Sequence, residues 1–320
     1  MKKILIIGGA GFIGYHLAKK LIQLNYKVDL IDNFSRGSFD AELKEFIKNK
    51  NLKLIKLDIS LDSSEKKINN NYFAIFHLAA IVGVKNVINR PYSVLFENIN
   101  LTLKAISIAK KQKNLKKFFF ASTSEIYSKS IQKLNLKIPT SEDVDLMVSD
   151  VGDKRSTYFL SKIYGESLVH HSKLPFIIFR PHNIYGPRMG KSHVIPEMII
   201  KFLKAKKNVV AFSPHHTRSF CYIDDAINQL VFLLSKPLIK NNTFNIGNHK
   251  DEIKISFLIK KIKHRMGKKN IKIYFKKDNH GSQNRRCPNM LKLKTFYNFN
   301  LTSLDIGLDK TIQWYTDYKK

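Results

Sequence analysis

A tyrosine and a lysine four residues apart, Tyr158 and Lys162, form the clearest acid–base pair in this sequence. On a helix, positions i and i+4 share a face, so the lysine ammonium can lie near the phenol. A nearby cation stabilises phenolate and lowers the tyrosine pKa toward working pH. Because an ordinary exposed helix face shows the same spacing, the pair needs further partners before it indicates catalysis.

Hydroxyl groups supply such partners. The predicted strand Lys117–Ala121 ends in Ser122-Thr123-Ser124-Glu125, and side chains at the carboxyl end of a strand in a parallel sheet face the ligand crevice. Glu125 follows Thr123 by two positions, so along a continuing strand both would point the same way. We therefore expect a hydroxyl and a carboxylate beside the tyrosine.

A glycine-rich turn indicates phosphate binding. The strand Ile4–Ile7 runs into Gly8-Gly9-Ala10-Gly11-Phe12-Ile13-Gly14, where a helix opens at Phe12 or Ile13. This spacing brings backbone N–H groups and a helix N-terminus to a pyrophosphate. Asp32 ends the second strand, where it can accept hydrogen bonds from ribose hydroxyls and repel a 2′-phosphate. It favours NAD over NADP, although Arg36 nearby could hold a 2′-phosphate.

The elements that must position these groups alternate between strand and helix. The predicted helices are 13–24, 94–111 and one from about Tyr158 to 171. The predicted strands are 4–7, 28–31, 52–57, 73–78, 117–121 and 176–179. This alternation predicts an α/β protein with a doubly wound parallel sheet. Prolines punctuate the chain from Pro181 onward, so we expect a cofactor domain over 1–180 and a smaller substrate lobe over 181–320, with some segments returning to the sheet.

Composition excludes several classes of protein. The 320 residues carry a net charge of +31, yet only nine of the 56 basic residues are Arg and the Lys are dispersed. We expect anionic small-molecule substrates and no nucleic-acid partner. Two cysteines, Cys221 and Cys287, make neither a disulfide framework nor a metal cluster, so no metal is expected. No run approaches the roughly 18 apolar residues of a membrane span, so the sequence predicts a soluble, cytoplasmic protein.

Together, these motifs resemble the extended short-chain dehydrogenase/reductase superfamily, in its nucleotide-sugar epimerase/dehydratase/decarboxylase branch. The resemblance runs from Ile4 to Trp314 and implies a Rossmann fold. Its motifs are GGAGFIG at 8–14, DNFSRG at 32–37, DI at 58–59, HLAA at 77–80, ENIN at 97–100, STSEIY at 122–127, YFLSK at 158–162, RPHNIYGPRMG at 180–190, HVIP at 193–196, RSFCYIDD at 218–225 and NIG at 245–247.

The resemblance implies roles for individual residues. The implied catalytic residues are Thr123, Glu125, Tyr158 and Lys162. Those implied to bind NAD are Gly8, Gly11, Phe12, Ile13, Gly14, Asp32, Asn33, Asp58, Ile59, Leu78, Ala79, Ala80, Asn98, Tyr158 and Lys162. Those implied to bind the nucleotide-diphosphate sugar are Ser124, Asn183, Val194, Arg218 and Arg286. For the two arginines, surface ion pairs are the simple alternative.

The implied chemistry begins with oxidation of the sugar at C4, in which Tyr158 takes the hydroxyl proton and NAD the hydride. The resulting 4-keto sugar can be epimerised, can lose water across C5–C6, or, from a glucuronic acid, can lose carbon dioxide. The Thr123-Ser124-Glu125 order resembles dehydratases and decarboxylases, although many dehydratases carry an acid where Ser124 stands. An epimerase or dehydratase is the main prediction and a UDP-glucuronate decarboxylase the alternative.

Two further expectations complete the prediction. The predicted helices at 94–111 and 158–171 correspond to those that form a four-helix dimer interface in the resembling family, so a homodimer is expected. A non-catalytic dinucleotide-binding regulator is the rival class, and the presence of both Tyr158 and Lys162 argues against it. The sequence leaves the nucleotide and the sugar open.

Overall fold

Seven strands form one sheet in the order β3-β2-β1-β4-β5-β6-β11. The protein is described by a computed structural model at residues 1–61, 66–148, 150–277 and 283–317. Neighbours among the first six strands pair in parallel, and the order reverses between β1 and β4. Ligands of such doubly wound sheets bind beyond the carboxyl ends of the strands at this reversal. The strands are β1 Lys3–Ile7, β2 Lys27–Asp32, β3 Leu52–Lys56, β4 Ala74–His77, β5 Lys117–Ala121, β6 Phe176–Pro181 and β11 Asn242–Ile246.

The strands form because their runs are apolar on both faces. In β5 every residue of Lys117–Ala121 is buried, and β1 is buried from Ile4 to Ile7. Continuous apolar runs are typical of parallel strands covered by helices on both sides. The predicted fold class is confirmed, and the predicted bounds of β5 agree with the structure residue for residue.

The helices that accompany these strands include three short ones that periodicity did not predict. These are α2, α3 and α5. Asp40 caps α2 by accepting a hydrogen bond from the Leu43 amide at 2.9 Å, and Pro91 occupies the first turn of α4, where its missing N–H costs nothing. The helices are α1 Phe12–Gln23, α2 Ala41–Phe46, α3 Val84–Asn89, α4 Pro91–Lys110, α5 Ser128–Lys133 and α6 Ser156–His170.

Most of the remaining strands are only two residues long. Strands β7 and β10 pair in parallel, as do β8 and β13, and β9 lies between β12 and β14. Their bounds are β7 Ile184–Tyr185, α7 Val194–Lys204, β8 Asn208–Phe212, β9 Thr217–Arg218, β10 Cys221–Tyr222, α8 Ile223–Ser235, β12 Ile253–Lys254, α9 Ile255–Arg265, β13 Lys272–Lys276, β14 Arg285–Arg286, α10 Leu291–Lys294 and α11 Leu304–Asp317.

The chain divides into two units that interleave in sequence. Unit 1 comprises residues 1–130, 145–181 and 227–244, and unit 2 comprises 131–144, 182–226 and 245–320. The predicted boundary near residue 180 lies beside one of these breaks, whereas 131–144 and 227–244 each cross to the other unit.

None of the helices in the described ranges is both long and apolar enough to cross a membrane. Nor do His, Cys, Asp and Glu side chains within these ranges gather in a group of three that could hold a metal ion.

Candidate active site

The glycine-rich turn of unit 1 is held against the segment after β4. Gly8 has φ +85°, and a Cβ there would lie 2.7 Å from the Ala79 amide nitrogen. A Cβ on Gly14 would lie 2.5 Å from the Gly8 carbonyl oxygen, so the start of α1 reaches the turn only because no side chain intervenes. Gly11 precedes α1, whose first residues are Phe12 and Ile13. Backbone amides and a helix N-terminus thus meet here, as a pyrophosphate requires.

Asp32 stands at the carboxyl end of β2, beside this turn. One carboxylate oxygen accepts from the Ala10 amide at 2.9 Å and the other from the Phe34 amide at 2.8 Å. Burial raises the pKa of Asp32, and these two hydrogen bonds oppose the rise. The carboxylate therefore anchors the glycine-rich turn in addition to its predicted contact with ribose. That contact stays a prediction.

The other predicted cofactor residues cluster around the same strand ends. Asn33 donates to the Asp58 carboxylate at 2.9 Å. Burial acts to raise the pKa of Asp58, but hydrogen bonds from Ser60 and Asn33 bring it below its usual value. Ile59 is buried. Leu78 continues the sheet by donating its amide to the Ile7 carbonyl at 2.8 Å, and the predicted contacts Ala79 and Ala80 follow it.

Asn98 joins two parts of the predicted cofactor site. Its side chain accepts from the Ile81 amide at 2.7 Å and donates to the Ile81 carbonyl at 3.0 Å. It also donates to Ser161 on α6 at 3.2 Å. The amide of this buried side chain therefore fixes the segment after β4 relative to the helix that carries Tyr158 and Lys162.

Lys162 is almost wholly buried. Its ammonium donates to the Ala121 carbonyl at the end of β5 at 2.8 Å and lies 5.0 Å from the centre of the Phe120 ring. Burial lowers the pKa of Lys162 to about 8, and the nearby Glu166 carboxylate acts to raise it. Tyr158 lies one turn earlier on α6 and is partly exposed. The charge of Tyr158 acts on Arg36, so Arg36 is within electrostatic reach of the phenol.

Unmet polar atoms surround these groups. In the described part of unit 1, the buried side-chain atoms without a hydrogen-bond partner are His77 Nδ1, Ser122 Oγ, Arg155 Nη1 and Ser156 Oγ. They lie at the end of β4, just after β5 and at the start of α6. Buried polar atoms are normally satisfied, so the site fits a polar ligand such as NAD. Desolvation and the charge of Lys162 lower the pKa of His77 to about 3, so its ring is neutral.

The segment after β5 corrects one step of the sequence argument. The strand ends at Ala121, and residues Ser124–Tyr127 form a 3-10 helix. Glu125 therefore does not continue a strand, and the predicted alternation with Thr123 was wrong. Thr123 instead caps this 3-10 helix, accepting from the Glu125 amide at 3.2 Å. Ser124 is buried and Glu125 is partly exposed, next to α6, which packs against the same turn.

Sequence reasoning missed a buried ion pair in this region. Arg180, at the end of β6, contacts Glu166 on α6 and Tyr127 of the 3-10 helix. One signal was available: Tyr158, Lys162 and Glu166 recur every four residues and so share one face of α6.

Unit 2 contains a cavity of about 230 Å³. Three predicted substrate residues line it: Asn183, Val194 at the start of α7, and Arg218. Asn183 has φ +42° and donates to the Ser219 carbonyl at 3.0 Å. Aromatic walls from Phe212 and Phe220 suit a flat base, since rings stack favourably.

The two predicted phosphate arginines are neighbours. Arg218 on β9 and Arg286 on β14 are register partners in parallel strands. The Arg218 guanidinium donates to the carbonyls of Gln283, Thr217 and Asn284 at 2.7, 2.7 and 3.3 Å. Arg286 donates to the Gln283 side-chain oxygen at 3.0 Å. Guanidinium groups suit phosphate oxygens because they bind them in pairs, and the diphosphate contact of these two arginines stays a prediction. The exposed ion pair at this edge belongs to a different arginine, Arg285, which binds Glu252 at 2.8 Å.

Comparisons with known proteins agree with this geometry. The family model described as "NAD dependent epimerase/dehydratase family" matches residues 4–247. UDP-N-acetyl-alpha-D-glucosaminuronate decarboxylase of Bacillus cytotoxicus is 33% identical over 99% of this chain and 98% of its own. dTDP-D-glucose 4,6-dehydratase of Dictyostelium discoideum is 34% identical over 77% of this chain and 58% of its own.

A solved structure shows the same likeness in three dimensions. UDP-glucuronic acid 4-epimerase from Bacillus cereus, in complex with UDP-glucuronic acid and NAD, has a TM-score of 0.85 and 29% identity over 99% of each chain. The chain belongs to the NAD-dependent epimerase/dehydratase family. It is an NAD-dependent enzyme of nucleotide-sugar metabolism, as the sequence predicts.

Proposed function

We propose that this enzyme decarboxylates a UDP-linked uronic acid, the alternative that the sequence left open beside epimerisation and dehydration. The observation that carries the proposal is that the 3-10 helix Ser124–Tyr127 contains one carboxylate, Glu125, and has a serine at position 124. The decarboxylase from B. cytotoxicus, which matches nearly the full length of the chain, supports the same branch.

The first step takes place at C4. NAD, which the glycine-rich turn and Asp32 would hold, would supply the hydride acceptor for C4 and the hydride that restores it. Tyr158, as phenolate, takes the proton from the C4 hydroxyl, and Thr123 hydrogen-bonds the same oxygen. Lys162, whose ammonium is fixed by the Ala121 carbonyl, stabilises the phenolate by its charge.

The second step takes place at C5. In a 4-keto uronic acid the C6 carboxylate is β to the ketone, so the C5–C6 bond breaks, carbon dioxide leaves, and the electron pair passes into an enolate. Glu125, replenished from solvent, protonates C5. Dehydration would require a second acid to protonate the departing C6 hydroxyl, and Ser124 cannot take that role. Tyr158 then returns its proton to O4, which leaves a UDP-pentose.

Arg155 supports an acidic substrate. It immediately precedes α6 in helical conformation, so it shares a face with Tyr158 three residues later. Its buried Nη1 atom makes no hydrogen bond to the described residues. A substrate carboxylate would satisfy this guanidinium nitrogen with a charge-assisted hydrogen bond. In unit 2, Arg218 and Arg286 would bind the diphosphate of the substrate, and the cavity would bind its base.

The product's mass tests the proposal. NAD-loaded enzyme is incubated in deuterated water with UDP-glucuronic acid, UDP-N-acetylglucosaminuronic acid, UDP-glucose and dTDP-glucose. We expect one uronic acid to lose carbon dioxide and to gain one deuterium at C5. Loss of water from a hexose would assign a dehydratase, and inversion at C4 without deuterium would assign an epimerase; either result refutes the proposal.

Glu125→Gln tests the step at C5. The variant keeps the oxidation at C4, so NADH absorbance should accumulate while release of the pentose falls on the order of 10²–10⁴-fold. Glu45→Gln is the matched control, because this carboxylate is exposed on α2 and pairs only locally with Lys48. A wild-type rate of pentose release by Glu125→Gln would remove Glu125 from the mechanism.

We further propose a homodimer formed through α4 and α6. These helices pack against each other, and their outer faces expose Tyr92, Phe96, Leu103 and Tyr164. The rings of Tyr92 and Phe96 stack with centroids 5.9 Å apart. Large exposed apolar patches mark association sites. Sedimentation should give a dimer that Phe96→Glu dissociates, whereas Phe257→Glu, an equally exposed phenylalanine on α9, should leave it intact. A monomeric parent protein would refute this.

A cytoplasmic location is also proposed. Both Cys221 and Cys287 are buried free thiols, which suits a reducing compartment. Fractionation of cells that express the native chain, followed by immunodetection, tests this location.

A further inference from the structure

A buried cluster of three side chains joins the two catalytic elements of unit 1. Arg180 donates Nε and Nη2 to the two carboxylate oxygens of Glu166 at 2.9 and 2.7 Å. Its third nitrogen, Nη1, donates to the Tyr127 hydroxyl at 2.8 Å. All three residues are at most 6% exposed. Water therefore screens these charge-assisted bonds little, and their geometry is fixed.

Each member of the cluster lies on a different element. Tyr127 ends the 3-10 helix that carries Glu125 and is capped by Thr123. Glu166 lies on α6, one turn after Lys162 and two turns after Tyr158. Arg180 lies at the end of β6. The guanidinium consequently bonds at once to the element that bears the predicted hydroxyl and carboxylate and to the helix that bears the predicted acid–base pair.

We propose that Arg180, Glu166 and Tyr127 form a positioning unit that locks the 3-10 helix to α6 and, through the Glu166 carboxylate, favours the protonated form of the buried Lys162. This inference rests on the C4 oxidation within the proposed function and not on decarboxylation.

The electrostatic part follows from what surrounds Lys162. The titratable groups near it are Glu166 one turn later on α6, whose carboxylate binds Arg180 of β6, Tyr158 one turn earlier, and His77 at the end of β4. The ring of His77 is neutral. From α4 the neutral amide of Asn98 reaches the adjacent Ser161. Burial depresses the pKa of Lys162 to about 8 and Glu166 opposes this. Without the carboxylate, Lys162 would lose its proton at lower pH.

The first test separates positioning from stability. Tyr127→Phe removes only the hydroxyl that binds Arg180. We expect kcat with the nucleotide sugar to fall on the order of tenfold to a hundredfold, since small misplacements of reacting groups cost this much, with KM and NAD affinity unchanged. Tyr72→Phe is the matched control, because it too removes one buried, hydrogen-bonded tyrosine hydroxyl. The Tyr72 hydroxyl donates to the Asp29 carboxylate at 2.6 Å. Tyr72 precedes the amino end of β4.

If both tyrosine variants keep the wild-type kcat, or lose it equally at equal loss of thermal stability, the positioning role is refuted. A selective loss in Tyr127→Phe supports it.

The second test addresses Lys162. In Glu166→Gln the alkaline limb of the pH–rate profile should move to lower pH by about one unit. Should this variant fail to fold, the double variant Glu166→Gln/Arg180→Met removes both buried charges together, which proteins tolerate better than one unpaired charge. Because a cation is lost as well, its alkaline limb should move in the same direction by a smaller amount. An alkaline limb at the wild-type pH in a folded variant refutes the electrostatic role.

A readout without turnover keeps this inference separate from the proposed function. The Nζ resonance of Lys162, in protein labelled with 15N-lysine and assigned with Lys162→Met, is titrated in the presence of NAD. Its midpoint should fall in the Glu166 variant even if no sugar in the panel reacts. Equal midpoints in parent and variant overturn the inference whatever the substrate proves to be.

Discussion

Arg180 in unit 1 and Arg218 in unit 2 are both arginines at strand ends, yet their guanidinium groups have different neighbours. Arg180 meets both oxygens of the Glu166 carboxylate and a tyrosine hydroxyl. Arg218 is oriented by three backbone carbonyls and has Arg286 as its strand partner. The first arrangement bonds the guanidinium directly to a buried carboxylate, whereas the second bonds it to neutral carbonyls on a strand that pairs with a second arginine.

This difference separates two uses of the same side chain. A buried bidentate ion pair fixes geometry, and breaking it leaves an uncompensated charge. Neutral carbonyls fix the plane of a guanidinium without removing its charge, so it can still bind phosphate oxygens. We therefore expect substitutions at the Arg180 cluster and the acid–base residues of unit 1 to act mainly on turnover, and those at the arginine pair of unit 2 to act mainly on substrate affinity.

The largest expected effect lies in unit 1. Tyr158→Phe removes the acid–base hydroxyl and keeps the ring, so kcat should fall on the order of 10²–10⁴-fold. Calorimetry should show unchanged binding of NAD and of UDP, since neither needs the phenol proton. Near-normal turnover would exclude Tyr158 as the acid–base group. It would also contradict the expectation that substitutions at this site of unit 1 act on turnover.

A smaller effect, of the opposite kind, is expected in unit 2. Arg218→Ala should raise KM for the nucleotide sugar about ten- to hundredfold, because a hydrogen bond to a charged group is lost, with kcat changed much less. Arg285→Ala is the control on the neighbouring strand. Its exposed pair with Glu252 should contribute little, so KM should stay near the parent value. If Arg218→Ala lowers kcat and leaves KM unchanged, the expected role of this arginine in substrate affinity is wrong.

The smallest effect concerns cofactor choice in unit 1. Asp32→Asn removes the charge expected to repel a 2′-phosphate, so the preference for NAD over NADP should narrow about tenfold. Fluorescence titration with both cofactors measures it. Asp40→Asn, at another backbone-bonded aspartate, should leave the preference unchanged. Equal affinity of the parent protein for NAD and NADP would contradict the role of Asp32 in cofactor choice. It would instead favour Arg36 as a residue that holds a 2′-phosphate.

Much of unit 1 could be predicted because its signals are local. An apolar run bounded by polar residues predicted both ends of β5 correctly. Helix α4 was predicted as well, although it begins at Pro91, three residues before the predicted start. Glu125 shows the limit of that reasoning. Alternation holds only while a strand continues, and here Thr123 caps a 3-10 helix.

Contacts between distant segments were not predictable from one sequence. Glu166 and Arg180 lie fourteen residues apart on different elements, and only the fold brings their side chains together. Unit 2 was harder still, because β9 and β14 are two residues long and carry no periodic pattern. The resemblance to a family, not local physics, pointed to Arg218 and Arg286.

The late position of β11 in the chain has a consequence for biosynthesis. Strand β6 is complete at Pro181, but β11, its outer neighbour in the sheet, starts only at Asn242. While the ribosome adds the residues between them, the apolar edge of β6 has no strand to pair with. An open edge of this kind can template association with other chains. We therefore expect the nascent chain to benefit most from a chaperone in this interval, and a chain truncated there to aggregate more readily than the full chain.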